Sequence, residues 1–195
     1  PRAQVAAFIR AAAEFAPVKV AAGSDEARAS SSADLGDVAA IIDVPTGDIW
    51  LRDTGPIVTG RGGQRVAQLF RFNGWGGKYL MPGDTETAAA IAGEEALPPV
   101  QHELILEGGA IDVDGEGRML TTRQCLLNPN RNPDLSADEI EARIKAALGV
   151  DEMIWLGDGL LNDHTDGHVD NVARFIAPGH ALCQHPSGAD DPNAG

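Results

Sequence analysis

The segment 162–171, which reads NDHTDGHVDN, holds the densest grouping of side chains suited to chemistry in this chain. It contains two histidines and three aspartates, and apolar, strand-like runs flank it at 153–156 and 172–177. Strands on both sides would hold such a turn in place while its side chains reach solvent, as catalytic and binding residues often do. The alternative is a solvated acidic loop in which a histidine makes one local hydrogen bond.

Two upstream stretches carry carboxylates in similar settings. In WLRDTGP (residues 50–56), an arginine and an aspartate stand between a tryptophan and a Gly-Pro turn. A buried carboxylate under an aromatic ring can bind a guanidinium or an ammonium ion, whereas a local Arg–Asp pair on a surface turn would contribute little. In EGG (residues 107–109), Glu107 follows a predicted strand, and the alternative there is a strand end with a bulge.

The composition limits the classes of partner. The net charge of −14 argues against nucleic acid and against an anionic membrane surface, and it suits a cationic substrate. Two cysteines, Cys125 and Cys183, make no disulfide framework, so a reducing compartment such as the cytoplasm is favoured. No apolar run approaches the length of a transmembrane helix.

The pattern of elements predicts an α/β fold built from small units. Hydrophobic periodicity and turn residues predict strands and hairpin arms at 18–22, 38–44, 57–59, 65–72, 104–106, 111–113, 118–122, 153–156 and 172–177. The same signals predict helices up to about residue 15, from an N-cap at Asp84 to about residue 97, and from a capping box at Ser136 to Gly149. Residues 23–36 are predicted to be a loop. Hairpins alternate with single helices, which indicates a repeated unit.

Taken together, the motifs resemble a known family of guanidine-modifying enzymes. WLRDTGP, EGG and DGHVDN (residues 166–171) occur in the order found in agmatine deiminases and Porphyromonas-type peptidyl-arginine deiminases. RFNGWGGKY (residues 71–79) and QCLLNPNRNP (residues 124–133) are similar to agmatine deiminases in particular. The resemblance extends from about residue 43 to residue 178.

The resemblance implies a pentein fold, a five-bladed α/β propeller with its active site at the centre, of which this chain would supply about three blades. It also implies a reaction without metal or cofactor. A guanidinium group becomes a ureido group with loss of ammonia, as in the conversion of agmatine to N-carbamoylputrescine in polyamine metabolism. The implied partner is a small cationic guanidinium substrate.

The family's roles can be carried over to matching residues. Asp53 and Asp170 would bind the N–H groups of the guanidinium, and Trp50 would pack on the alkyl stem. His168 would be the general acid and base. Glu107 would hold His168 and raise its pKa.

The family's nucleophile has no counterpart in this sequence. The family uses a cysteine in a Gly-rich stretch near the C-terminus, which forms a thiouronium intermediate. Cys125 lies in a different motif, and we expect Cys183 to be a core cysteine although His185 is close to it in sequence. We therefore expect residues 1–195 to be a single, partial deiminase domain without the opening strand and the nucleophile. We expect it to be inactive alone and to self-associate through exposed blade edges.

Three other functions remain open from the residues alone. His164 and His168, with the aspartates around them, could bind a metal ion in a hydrolase. A pentein-fold protein could bind guanidinium compounds without catalysis. Peptidyl-arginine could replace agmatine as the substrate. An arginine substrate with a free carboxylate would require a pair of arginines near the site, and the segment after Phe70 offers only Arg71, which favours agmatine.

Overall fold

The computed structural model describes residues 2–188 and 190–192. In chain order its helices and strands are α1 (Arg2–Ala13), β1 (Val18–Ala21), α2 (Asp25–Leu35), β2 (Ala39–Ile42), α3 (Leu51–Thr54), β3 (Ile57–Arg61), β4 (Gln64–Arg71), α4 (Gly74–Gly77), α5 (Thr87–Glu94), β5 (Pro99–Ile105), β6 (Ile111–Val113), β7 (Arg118–Thr122), α6 (Arg123–Leu126), α7 (Ala137–Leu148), β8 (Glu152–Leu156), β9 (Ala173–Ala177) and β10 (His180–Cys183). Single turns of 3₁₀ helix occupy Gly108–Ala110 and Val169–Asn171.

Two copies of one structural unit form the middle of the chain, as the sequence pattern indicated. In each copy an antiparallel hairpin is followed by a helix, and the strand after that helix pairs in parallel with the second arm of the hairpin. The sheets are β3-β4-β5, with α5 before the last strand, and β6-β7-β8, with α7 before the last strand. A parallel pair requires such a crossover, because its second strand must start again at the same end of the sheet.

Parts of the same unit lie on both sides of these copies. Strands β1 and β2 pair in parallel across α2, and β9 and β10 form an antiparallel hairpin. The described residues therefore contain four small sheets, of which the two three-stranded ones are mixed, and the helices between their strands confirm the α/β class.

The main core lies between the second unit and its neighbours. Helix α7 buries Ile140 and Ile144, four residues apart on one face, against the fully buried Met119 of β7. The predicted capping box is present, since Ser136 and Glu139 exchange hydrogen bonds. The helix ends at Gly149, which adopts the left-handed conformation with φ 70°.

Three sequence predictions are wrong. Residues 23–36 contain helix α2 instead of a loop, capped by the Ser24 side chain, because the parallel strands beside it need a crossover. Helix α5 starts at Thr87, and Asp84 does not cap it. Cys183 is exposed on β10 instead of lying in the core.

Within the described residues, no helix combines the length and the apolar character that crossing a membrane requires.

Candidate active site

The segments that connect one sheet to the next carry the predicted site residues. Asp53 lies in α3 between β2 and β3, Glu107 lies two residues after the end of β5, and Asp170 lies in the 3₁₀ turn between β8 and β9. Helix α3 contacts the 3₁₀ turn Gly108–Ala110, and that turn contacts the 3₁₀ turn Val169–Asn171. Side chains that are more than 50 residues apart in sequence therefore meet at one place.

Gly109 marks the point at which they meet. A Cβ atom on Gly109 would lie 2.4 Å from His168 Nδ1, 2.7 Å from Asp53 Oδ1 and 2.9 Å from Asp170 Oδ2. All three distances are shorter than real Cβ contacts. A glycine is therefore required here for space, and its missing side chain lets two carboxylates and an imidazole converge.

Asp53 is fixed from both sides. Its Oδ1 accepts a hydrogen bond from the Gly109 backbone N–H at 2.8 Å, and its Oδ2 accepts one from Trp75 Nε1 at 3.0 Å. Burial raises the pKa of Asp53, although both hydrogen bonds oppose the rise. Trp75 adopts a left-handed conformation with φ 53°, which is uncommon for a bulky residue and directs the indole toward the carboxylate.

Asp170 faces the same point, but no donor in the described part of the chain is seen to hold its carboxylate as Asp53 is held. Burial raises the pKa of Asp170, and the negative charge of Asp53 raises it further, whereas His168 lowers it. Two neighbouring carboxylates that both ionise with difficulty form a site that a cation would stabilise.

His168 is almost fully buried, with 2% exposure, and its Nε2 has no hydrogen-bond partner among the described residues. Its backbone N–H donates to Asp163 Oδ2 at 3.0 Å, so the loop holds the residue by its main chain. Burial lowers the pKa of His168 to about 4, although Asp170 and Asp163 oppose this. The prediction of a raised pKa for His168 is therefore wrong, because desolvation outweighs the neighbouring anions.

Glu107 is fully buried beside an arginine that sequence reasoning missed. Arg131 Nε lies 2.7 Å from Glu107 Oε1 in an ion pair whose side chains are both fully buried. Burial raises the pKa of Glu107 to about 7 despite this positive neighbour. The only signal for Arg131 in the sequence was its place in the QCLLNPNRNP segment.

The two cysteines lie in different surroundings: Cys125 is buried close to His168 and Glu107, and Cys183 is exposed on β10. Cys125 is buried, donates weakly to Thr165 O at 3.8 Å, and has a pKa raised by burial. Among the described residues, Glu107, Cys125 and His168 form the one group of three potential metal ligands, with their ligand atoms within 4.8 Å of one another. His164 is not part of it, so the described residues do not assemble the alternative His164–His168 metal site.

A cavity of about 470 Å³ opens onto the convergence point. Its walls are mostly aromatic or acidic side chains, contributed by Asp48, Trp50, Asp53, Trp75, Tyr79, Met81, Asp163, His164, Thr165, His168, Asp170 and Asn171. Trp50, at the start of α3, is 56% exposed at the rim. Glu107 does not line the cavity and lies behind it. An acidic, aromatic cavity of this size fits a small organic cation.

Comparison with known proteins gives the family. The sequence profile of the Porphyromonas-type peptidyl-arginine deiminases matches residues 1–195. The chain belongs to this family. It is 42% identical over 200 residues to an agmatine deiminase of Stutzerimonas stutzeri, covering 98% of this chain and 54% of that protein. The chain thus spans about half the length of the curated relatives that it matches.

Two solved structures of this deiminase family share the fold. A Cys-to-Ser variant of C. jejuni agmatine deiminase with substrate bound has a TM-score of 0.89 and 31% identity, covering 97% of this chain and 57% of that one. Agmatine deiminase of Enterococcus faecalis has a TM-score of 0.90 and 33% identity, covering 96% and 53%.

We expect Gly109→Ala to destabilise the chain by about 1–3 kcal/mol, because the new methyl group overlaps His168 and both carboxylates. Gly93→Ala is the matched control, since a Cβ there meets nothing within 4 Å and the residue lies inside α5. That control should be neutral or stabilising, because alanine favours a helix. Urea unfolding measures both variants, and equal stabilities would contradict the crowding at Gly109.

We expect the His168 imidazole to make folding sensitive to acid. A histidine with a pKa near 6.5 when unfolded and about 4 when folded binds its proton first in the unfolded chain. The contribution of His168 to the free energy of unfolding is therefore fully present above about pH 6.5. It is lost as the pH drops toward 4, and the loss is at most about 3 kcal/mol. Unfolding of the wild type and of His168→Gln between pH 7 and 4.5 tests this. The wild type should lose more stability, and parallel profiles would contradict it.

Proposed function

We propose that this chain is the guanidinium-binding part of an agmatine deiminase, which hydrolyses agmatine to N-carbamoylputrescine and ammonia. The observation that carries the proposal is the convergence of Asp53, Asp170 and His168 around Gly109 at the base of an aromatic cavity. The similarity to proteins named agmatine deiminase supports it. We also propose that the chain supplies about three of the five blades of a pentein propeller, and that the protein is cytoplasmic.

The two carboxylates are suited to a planar cation. Each can accept two N–H groups of a guanidinium along one edge, which fixes the plane of the group for attack at its central carbon. The bound positive charge would lower the raised pKa values of Asp53 and Asp170, so binding would keep both carboxylates ionised. Trp50 would cover the aliphatic stem at the rim of the cavity.

His168 would move the protons. Its low pKa keeps the ring neutral at pH 7, so it can accept a proton from the attacking thiol and deliver it to the leaving nitrogen, which departs as ammonia. In the second half of the reaction the same ring would take a proton from water as the oxygen attacks the thiouronium carbon and the sulfur leaves. The ionised form of Glu107 would stabilise the transient imidazolium.

We propose that the attacking thiolate comes from outside these 195 residues. Neither cysteine of this chain lines the cavity, and burial raises the pKa of Cys125, which disfavours its thiolate. Cys183 lies on the exposed strand β10. The C. jejuni enzyme with substrate bound carries a Cys-to-Ser replacement, which supports a role for a cysteine in turnover by that protein.

The cavity favours agmatine over an arginine with a free carboxylate. Its charged lining residues are aspartates, and no arginine or lysine is among the described residues that line it. Arg71 lies elsewhere, 3.7 Å from Glu103 in an exposed ion pair. An acidic entrance attracts the second cation of agmatine and disfavours a carboxylate.

We expect Asp53→Asn to weaken agmatine binding at least tenfold while the fold is retained. The substitution removes the charge that pairs with the guanidinium, and losing one partner of a buried charge pair typically costs about 2–5 kcal/mol. Calorimetry on the complete protein, with its nucleophilic cysteine replaced, measures the affinity. Asp138→Asn, on the exposed face of α7, is the control for loss of one negative charge. Unchanged affinity in Asp53→Asn would exclude its proposed role.

We expect the 195-residue chain alone to release no ammonia from agmatine, whereas the complete protein does. Without a positioned thiolate, water must attack a resonance-stabilised cation, and loss of a nucleophile costs several orders of magnitude in rate. Ammonia release is measured for both proteins and for Cys183→Ser. If the short chain turns over at a comparable rate and Cys183→Ser abolishes that activity, then Cys183 with His185 is the nucleophilic site, and the proposed place of the thiolate is wrong.

A further inference from the structure

Asp84 is a buried carboxylate that neither caps a helix nor forms an ion pair with any of the described residues. It is 1% exposed, and both of its oxygens accept backbone hydrogen bonds. Oδ1 accepts from the Gly47 N–H at 2.9 Å and the Asp48 N–H at 3.2 Å, and Oδ2 accepts from the Met81 N–H at 3.0 Å. One side chain thus joins two segments that are more than 30 residues apart in sequence.

Both of these segments form the rim of the cavity. The first contributes Asp48 and Trp50 to its lining, and the second contributes Tyr79 and Met81. Trp50, Tyr79 and Met81 are each about half exposed, with 56%, 49% and 48% exposure, so they lie at its outer part. Asp84 itself does not line the cavity.

The two segments meet closely at this joint. A Cβ atom on Gly47 would lie 2.3 Å from Met81 Cβ, so the segments already touch. Thr87, at the start of α5, adds a second connection, because its hydroxyl is 2.8 Å from Pro45 O and 3.0 Å from Gly83 O. Asp84, which precedes α5, and Thr87, its first residue, therefore fix the two segments relative to each other.

We infer that Asp84 is a positioning residue that sets the affinity of the site for the aliphatic chain of its substrate. It acts through the Trp50 and Met81 segments and does not touch the substrate. The inference rests on the proposed function, since it takes the guanidinium to lie between Asp53 and Asp170 at the inner end. A longer alkyl chain extends between the two segments at the rim, whereas a short one ends before them.

Asp84→Asn tests this in the complete protein. The amide keeps one acceptor oxygen but places an NH₂ group against a backbone donor, so at least one connection is lost and the rim loosens. Dissociation constants are measured by calorimetry for agmatine, butylguanidine and methylguanidine. We expect affinity for agmatine and butylguanidine to fall at least fivefold and affinity for methylguanidine to change less than twofold. For agmatine turnover, KM should rise while kcat stays within twofold.

Asp114→Asn is the matched control. Asp114 also joins two turns through its carboxylate, which accepts from the backbone N–H groups of Glu116, Arg118 and Gly179 at 2.8, 3.0 and 3.1 Å, but it does not line the cavity. This variant should lose stability and keep the wild-type affinities for all three ligands. Should Asp84→Asn fail to fold, Thr87→Val loosens the same joint and should show the same dependence on chain length.

Equal losses for methylguanidine and butylguanidine, or no loss for either, would overturn the inference. An equal effect of Asp114→Asn would overturn it as well, because the cause would then be general stability. The proposed function fails in a different way: if the complete wild-type protein binds agmatine but releases no ammonia, deimination is excluded, while the dependence of affinity on chain length still supports the role of Asp84.

Discussion

The site depends on the contacts that the buried Arg131 guanidinium makes with two carboxylates and a backbone carbonyl. The guanidinium is fully buried, and it contacts Glu107, Asp166 Oδ2 at 2.9 Å and the carbonyl oxygen of Thr165 at 2.9 Å. It therefore connects the segment after β5 with the loop that carries His168. Removing one partner of a buried pair of this kind typically costs about 3–5 kcal/mol, because the remaining charge stays out of water without compensation.

One buried cation does not offset the cost of burying the acids of the site. Burial raises the pKa values of Glu107, Asp53 and Asp170 and lowers that of His168, so burial favours the neutral form of each of these groups. A bound cation reverses this preference for the two aspartates, since its charge replaces the solvent that they have lost. In the proposed function, the affinity for a guanidinium and the cost of burying the carboxylates would thus have the same origin.

The repeated unit explains how the site is assembled. Each unit ends in a parallel strand, and the segment that leaves it turns through a short helix toward the next sheet. Asp53, Glu107 and Asp170 lie in or beside three successive segments of this type. The convergence of Asp53 and Asp170 follows from the arrangement of the sheets and from Gly109, which leaves the space that the two carboxylates and His168 occupy.

The sequence by itself determined the chemistry that is available and the elements set by local interactions. The two hairpins and the capped helix α7 follow from residues a few positions apart, such as Ser136 with Glu139, and they could be predicted. Only the tertiary structure decided that Asp84 joins two rim segments, that Arg131 pairs with Glu107, that Cys183 is exposed and that the pKa of His168 falls. These properties depend on burial and on contacts between residues distant in sequence, and local patterns carry no information about either.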